Sequence, residues 1–353
     1  MQRNLITFFV VFILCGCAEG QLHQETKIAS TAAPTRTATS TLTPTARYTP
    51  TYTPVPLIKV SDLPSGEYLV GFDDSTFSMD EYRIYLGVYS PKGQFMGYMA
   101  EVNNLPARLS PNLKLLLDIP QILDLSTGER ETFGALNNCG QASWSPDSKY
   151  LVMSCPVVDA TGPNITEDLY DLSNYPHIID SLFVFSLEDH TLLRIADNSD
   201  PIALGVSSWS PDGKWIAYLE DVQIVGKASD HDGLRILDTR CFSSPSTCWQ
   251  DAVAEFIRGP LVWSPDSHYL AGIYNRYENG SDVDEVRVFK VENGVATLFR
   301  KYPLGSMITW IAWSPSGDKI AVADYDGNFL LSVDSGELEP LDMRAFYYWI
   351  SVP

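Results

Sequence analysis

The stretch Ser208–Glu220, SWSPDGKWIAYLE, recurs along the chain, and this recurrence constrains the fold more than any other feature. Strong copies stand at Ser143–Ser154 (SWSPDSKYLVMS), Ser208–Leu219 (SWSPDGKWIAYL), Val262–Ile273 (VWSPDSHYLAGI) and Ala312–Ala323 (AWSPSGDKIAVA). Weaker copies precede them at Leu63–Phe72 (LPSGEYLVGF) and Arg108–Ile119 (RLSPNLKLLLDI). Their prolines fall at 64, 111, 146, 211, 265 and 315, at intervals of 47, 35, 65, 54 and 50 residues. A period in this range marks architectures in which one supersecondary unit is repeated and stacked.

Each copy reads as strand, tight turn, strand. Proline presets φ at the first corner of a turn, and Asp and Gly suit the positions after it. Gly213 and Gly317 fit the left-handed slot of a short hairpin loop. Ser148 and Ser267 occupy the same slot and fit it less well, which predicts a different turn type there. The runs after the turn, 150–153 and 215–218, are apolar without alternation, as suits a strand buried on both faces. A second pair of strands follows most copies: Gln121–Leu125 before STGERETF, Ser181–Leu187 before EDHTLLRI, Glu285–Val291 before ENGVATLF and Asn328–Val333 before DSGELEPL. Each unit is thus a four-stranded meander, and the globular part holds no helix-period segment of useful length. Such units at this period predict an all-β fold, a β-propeller of six four-stranded blades. Seven blades, two of them within 146–211, are the alternative.

The W-S-P-D-G repeat resembles that of the TolB-like and WD40-like Pro-Asp propeller family, over about 290 residues of the chain. The resemblance implies a fold and leaves function open. The last residues, Phe346–Pro353, resemble the start of a further copy cut at its turn. A strand at 346–352 is therefore expected to pair within one sheet with a strand from 66–100, closing the ring and removing edge strands.

The first 56 residues do not read as globular. Met1–Cys17 has one arginine, an apolar stretch Leu5–Leu14 and the sequence Leu14-Cys15-Gly16-Cys17. The apolar stretch is shorter than the roughly 20 residues that a spanning helix needs, and it has the layout of a secretory signal. The stretch resembles a bacterial lipobox, which implies cleavage before Cys17 and acylation of that thiol. The alternative is an ordinary signal peptide. Ser30–Pro56 contains ten Thr, five Pro and no acid. Such a segment buries too little apolar area to offset its ordering entropy and acts as a semi-rigid spacer. The expected organisation is a signal over 1–17, a Thr/Pro-rich stalk over 18–56 and a propeller over 57–353.

The chain carries 24 basic and 44 acidic residues, a net charge of −20. Loss of residues 1–16 removes Arg3 and no acid, leaving 23 against 44, or −21. This charge repels polyanions. No nucleic-acid partner is expected, and membrane contact is expected through the lipid anchor alone.

Beyond Cys15 and Cys17, four cysteines remain, an even number in an exported chain. Cys139 and Cys155 lie symmetrically about Asp147 in a hairpin turn, so they face one another across the ladder. Cys241 and Cys248 flank FSSPST and are expected to staple its base. No metal or cofactor set is expected, because no histidine lies near a cysteine pair at ligand spacing. No catalytic motif is present: there is no G-x-S-x-G elbow, H-E-x-x-H or phosphate-binding loop. Trp144, Trp209, Trp263 and Trp313 recur at equivalent positions, which argues packing. The non-repeated aromatics Trp310, Tyr347, Tyr348 and Trp349 are the candidate ligand contacts, gathered at one mouth of the central channel. The insertion Pro156–Asp180 is a second non-repeated feature. The function expected is a non-catalytic binding or scaffold module for a protein, peptide or glycan of the bacterial cell envelope. The alternative is a glycan-active hydrolase or lyase, with two carboxylates about 5–10 Å apart at the propeller mouth.

Overall fold

The computed structural model describes residues 55–72, 84–104, 107–137, 139–140, 142–158, 178–197, 204–220, 233–244, 258–278, 281–304, 307–325, 327–343, 346 and 348–353. The signal, Cys17 and nearly all of the Thr/Pro-rich stretch lie outside them.

Strands β1 (Gly66–Phe72), β2 (Ile84–Tyr89) and β3 (Phe95–Val102) form most of blade 1. Blade 2 holds β4 (Arg108–Leu109), β5 (Leu115–Asp118), β6 (Gln121–Asp124) and β7 (Arg130–Thr132). Blade 3 holds β8 (Ala142–Trp144), β9 (Tyr150–Val158), β10 (Ile178–Ser186) and β11 (Leu192–Asp197). Blade 4 has β12 (Leu204–Trp209), β13 (Trp215–Glu220) and β14 (Gly233–Asp238). Blade 5 comprises β15 (Arg258–Trp263), β16 (Tyr269–Glu278), β17 (Ser281–Glu292) and β18 (Val295–Pro303). Blade 6 comprises β19 (Ile308–Trp313), β20 (Lys319–Asp324), β21 (Gly327–Ser332) and β22 (Leu338–Leu341). The last strand, β23 (Tyr348–Val352), returns to blade 1 and pairs antiparallel with β1, Leu69 opposite Trp349 and Gly66 opposite Val352. The protein is a six-bladed β-propeller, with four strands in five blades and three in blade 4 among the described residues. Six blades, not seven, fill the chain. The long interval 146–211 extends the β9–β10 hairpin as far as Val158 opposite Ile178, and 159–177 lie outside the described residues.

Six apolar clusters hold the ring, one at each seam between neighbouring blades. Leu117, Leu136, Trp144 and Phe185 join blades 2 and 3. Val152, Leu182, Ile216 and Leu237 join blades 3 and 4. Ala217, Leu234, Trp263 and Phe289 join blades 4 and 5, and Ile273, Val288, Trp313 and Leu331 join blades 5 and 6. Leu69, Ala321, Leu330 and Phe346 close blade 6 on blade 1, and Val70, Leu86, Leu109 and Ile350 seal blade 1 to blade 2. Each strand following a turn thus packs on both faces, which is why its sequence is apolar without alternation. Burying one such Leu or Ile contributes about 1.5–3 kcal/mol.

The turns follow one pattern, and the serine of W-S-P-D organises it. In blade 4 the buried Ser210 donates to Asp212 Oδ1 at 2.8 Å and accepts the Trp215 amide at 2.9 Å. Asp212 Oδ1 then accepts the Lys214 amide at 3.1 Å. Ser110, Ser145, Ser264 and Ser314 are likewise buried, and each accepts the amide that starts the next strand. The expected difference between glycine and serine turns is absent. Ser148 and Ser267 adopt φ of 61° and 62°, beside 76° and 81° for Gly213 and Gly317. The serines gain what glycine cannot: Ser148 Oγ accepts the Asn112 amide of blade 2 at 3.1 Å, and Ser267 Oγ accepts the Asp212 amide of blade 4 at 2.9 Å. These bonds to the preceding turn offset the steric cost of a side chain in left-handed backbone.

Cys139 and Cys155 form a disulfide with Cα atoms 4.1 Å apart. The β8–β9 register pairs Trp144 with Leu151, so its centre lies half a residue past Asp147. β8 begins at Ala142, and before it the Gly140 amide bonds the Ser154 carbonyl at 2.7 Å, which sets Cys139 beside Cys155. Cys241 is also disulfide-bonded, and Cys248 lies outside the described residues.

Candidate binding site at the turn-face mouth

Every blade sends its first turn to the same end of the ring. Pro111, Pro146, Pro211, Pro265 and Pro315 from five turns, with Tyr348–Ser351 of β23, line one cavity of about 520 Å³. A cavity to which all six blades contribute lies on the propeller axis. Proline rings recur around its walls, with Leu109, Leu113, Trp144 and Trp209 between them.

The residue just before the motif tryptophan occupies the same place in each innermost strand. Registers fix the equivalence: Arg108 faces Leu117, Ser143 faces Val152, Ser208 faces Ala217, Val262 faces Ala271, Ala312 faces Ala321, and Tyr348 faces Val70. Four of the six are small. Arg108 and Tyr348 are large, and they sit side by side on adjoining blades, where Tyr348 Oη accepts the Leu109 amide at 3.2 Å. Arg108 is therefore a site residue that motif searching passes over. Its signal was a single charge at a repeat position that holds Ser, Val, Ala or Tyr elsewhere.

Arg108 lies over the Trp310 ring, its guanidinium carbon 5.3 Å from the ring centroid. Its Nε is buried and has no hydrogen-bond partner. Burial lowers the guanidinium pKa, with the neighbouring Tyr348 acting weakly in the opposite direction. Burial also raises the Tyr348 pKa, so its phenol stays protonated. The carbonyl of Arg108 accepts the Trp144 indole N–H at 2.9 Å.

Trp349 is a fifth motif tryptophan in disguise. It faces Leu69 as Trp313 faces Ile320 and Trp209 faces Ile216. Trp209 and Trp313 donate their indole N–H to the glycine carbonyl of their own turn, at 3.3 and 3.1 Å. Trp144 and Trp263 donate to a carbonyl of the preceding blade, at 2.9 and 3.1 Å. Trp349 has neither partner, and its Nε1 is buried unpaired. The turn that would serve it is split between the two ends of the propeller chain.

Of the four candidate aromatics, Tyr348 and Trp349 line the axial cavity. Trp310 does not line it but lies beneath Arg108. Tyr347 lies outside the described residues. The described lining includes no carboxylate. The half-buried Trp209 also borders a second cavity of about 410 Å³ in the seam between blades 3 and 4, with Tyr150, Thr239 and Phe242. Its ring stands at 90° to Phe242, centroids 5.9 Å apart, and at 30° to Tyr150, 6.4 Å apart. The two cavities thus share one aromatic wall. Connections at the opposite end of the strands, such as 73–83, 198–203 and 221–232, fall outside the described residues.

No protein-family model matches the chain, and no curated protein does. Solved structures do resemble it. TolB from Acinetobacter baumannii superposes with a TM-score of 0.51 at 17% identity, over 80% of this chain and 66% of that one. An oligogalacturonate lyase in complex with manganese gives 0.52 at 15%, over 74% and 71% of the two chains. The Vibrio parahaemolyticus oligogalacturonate lyase gives 0.50 at 13%, over 73% and 71%. The chain thus spans slightly less than two thirds of the TolB chain. At these identities the likeness is one of fold.

Proposed function

We propose that the protein is a lipid-anchored, extracytoplasmic propeller that binds a protein or peptide without chemical turnover at its turn-face mouth. The observation that carries this reading is the axial cavity itself. It is concave, mostly apolar and supplied with a few polar groups from adjoining blades, as ligand sites generally are. Acylation at Cys17 and the Thr/Pro spacer would hold such a mouth away from a bilayer. The second reading, a glycan-active lyase, draws on the fold shared with oligogalacturonate lyases. The described lining offers a cation and donors where that reading asks for paired carboxylates.

The test places a photo-crosslinking side chain at Ser351, exposed in the mouth, and separately at Val295, 61% exposed on blade 5. Intact cells are then irradiated. A discrete protein adduct from Ser351 and none from Val295 supports the reading. Equal adducts from both positions, or none from Ser351, refute it. Metabolic labelling with a fatty-acid analogue, lost in Cys17→Ser, tests the anchor.

A further inference from the structure

We infer that the axial mouth recognises a carboxylate carried by a peptide, with Arg108, Trp349 and Tyr348 supplying the donors. This rests on the mouth being the binding face. Three polar hydrogens of residues that line the cavity have no acceptor. Arg108 Nε and Trp349 Nε1 are buried and unpaired. Tyr348 Oη already accepts the Leu109 amide, and its own O–H remains to be donated. Of the lining serines, Ser110 holds Asn112 and the Leu115 amide, Ser143 accepts the Trp209 amide at 3.1 Å, and Ser351 is exposed at the rim. The unpaired groups around Arg108 are donors. A carboxylate is acceptor-only, with two oxygens and about four lone-pair sites.

Charge selects the same group. Among the described residues the titratable neighbour acting on Arg108 is Tyr348 and not a carboxylate, in a chain of net charge −20. A buried cation left unpaired is costly, and a monoanion neutralises it. A phosphate dianion would be opposed by the surrounding acidic field. The walls decide between peptide and sugar. An oligosaccharide presents hydroxyls on most of its carbons and needs a matching density of polar partners. Here five prolines, Leu109, Leu113 and three tryptophans line the space. An apolar peptide flank suits them, and Trp209 carries it outward into the seam bordered by Tyr150 and Phe242.

The experiment uses the full chain in detergent on an array of N-tethered random pentapeptides. One set ends in a free carboxylate and lacks Asp and Glu. A second is amidated and contains one Asp or Glu. A third is amidated and has no acid. Binding to the first set places the recognised group at a peptide C-terminus, and binding to the second places it on a side chain; either supports the inference. The best binder is then resynthesised with that one carboxylate as an amide. It should weaken at least tenfold, the scale of one charge-assisted hydrogen bond. Arg108→Gln should erase the preference for acid over amide, and Arg108→Lys should keep part of it. Trp349→Phe, which removes the indole N–H together with part of the ring, should weaken the acid by a larger factor than the amide. Urea midpoints for each variant check folding.

Equal binding of acid and amide overturns the inference, as does indifference to Arg108→Gln. So does Arg108-dependent binding of inorganic phosphate or oligogalacturonate with no peptide bound, or silence on every arm. Crosslinking at Ser351 together with a carboxylate-blind array would refute this inference and leave the binding-module reading standing.

Discussion

Ser65 donates its hydroxyl to the Pro353 carbonyl at 2.7 Å, joining residues 288 positions apart. By sequence Leu63–Phe72 is the second half of a repeat, and Phe346–Pro353 is the first half. The fold reunites them in one sheet, with Tyr68 opposite Ile350. The repeat has been cut at a turn, and the cut is the place where the ring must close.

Deletion of residues 346–353 therefore removes the innermost strand of blade 1. It exposes β1 and strips the buried Phe346, Ile350 and Val352 from two seams. Three such side chains account for roughly 5–9 kcal/mol, comparable with the roughly 5–15 kcal/mol by which whole domains are stable. The truncated chain is expected to lose its cooperative thermal transition and to aggregate through the open edge. Calorimetry and size-exclusion chromatography check this. A sharp transition within a few degrees of the parent would show that closure contributes little.

Ser210→Ala leaves the Trp215 amide and the Asp212 carboxylate without their shared partner in a buried turn. About 1–3 kcal/mol should be lost. At Ser148 the order of substitutions is diagnostic. Ser148→Ala keeps the left-handed strain and loses the Asn112 bond, so it should cost about 1–2 kcal/mol. Ser148→Gly loses the same bond but relieves the strain, so it should be nearer neutral. Urea unfolding of the pair checks the order, and the reverse order would mean that the serine turn is not strained.

This serine shows where the sequence was legible and where it was not. Blade number, strand order and the closing strand followed from the spacing of Pro111 to Pro315 and from the truncated copy at Phe346–Pro353, because turn chemistry and apolar runs are local signals. The turn at Ser148 was misjudged because its compensation comes from Asn112 on another blade, 36 positions away. Arg108 was missed for a related reason. Its importance lies in what it fails to touch, and an absent partner leaves no mark in a chain read residue by residue. Trp349 was noticed as an aromatic, but its unpaired N–H depends on the turn being split.

Asp118 clasps the connection from blade 1 to blade 2. Its fully buried side chain accepts the amides of Asn103 and Asn104 at 2.9 Å each, and it pairs with Arg130 Nη1 at 2.9 Å. Asp118→Ala should cost about 3–5 kcal/mol by leaving these donors unmet and one cation uncompensated. Arg130→Met should cost less, because Arg130 is 30% exposed and the amides keep their acceptor. Chemical denaturation of both variants measures the difference, and equal losses would place the stability in the ion pair alone.

Acid should weaken the fold through its turn carboxylates. Hydrogen bonding by the Ser126 hydroxyl lowers the pKa of Asp124, bonding by Arg240 lowers that of Asp238, and the Ser316 hydroxyl lowers that of Asp318. A folded pKa below the unfolded value means that the stabilisation is complete above the unfolded pKa, about 3.9, and is lost as pH falls through the folded values. Urea midpoints should change little between pH 7 and 5 from this source and should fall below pH 4. A midpoint that rises on acidification below pH 4 would contradict the sign.

Arg108→Met is expected to stabilise the ligand-free protein. The wild-type Arg108 is half-buried beside Tyr348 with its Nε buried and unpaired, and its stacking on Trp310 offsets only part of the lost hydration. A cation–π contact contributes about 0.5–2 kcal/mol, less than the several kcal/mol that burying an ion costs. Methionine keeps the apolar stem and discards the charge, so a gain of about 1–2 kcal/mol should follow, as where a functional residue is held against stability. Thermal and urea unfolding in the absence of ligand measure it. A loss of stability would make Arg108 a structural residue held by its packing, and would remove the energetic reason for an anion at the propeller axis.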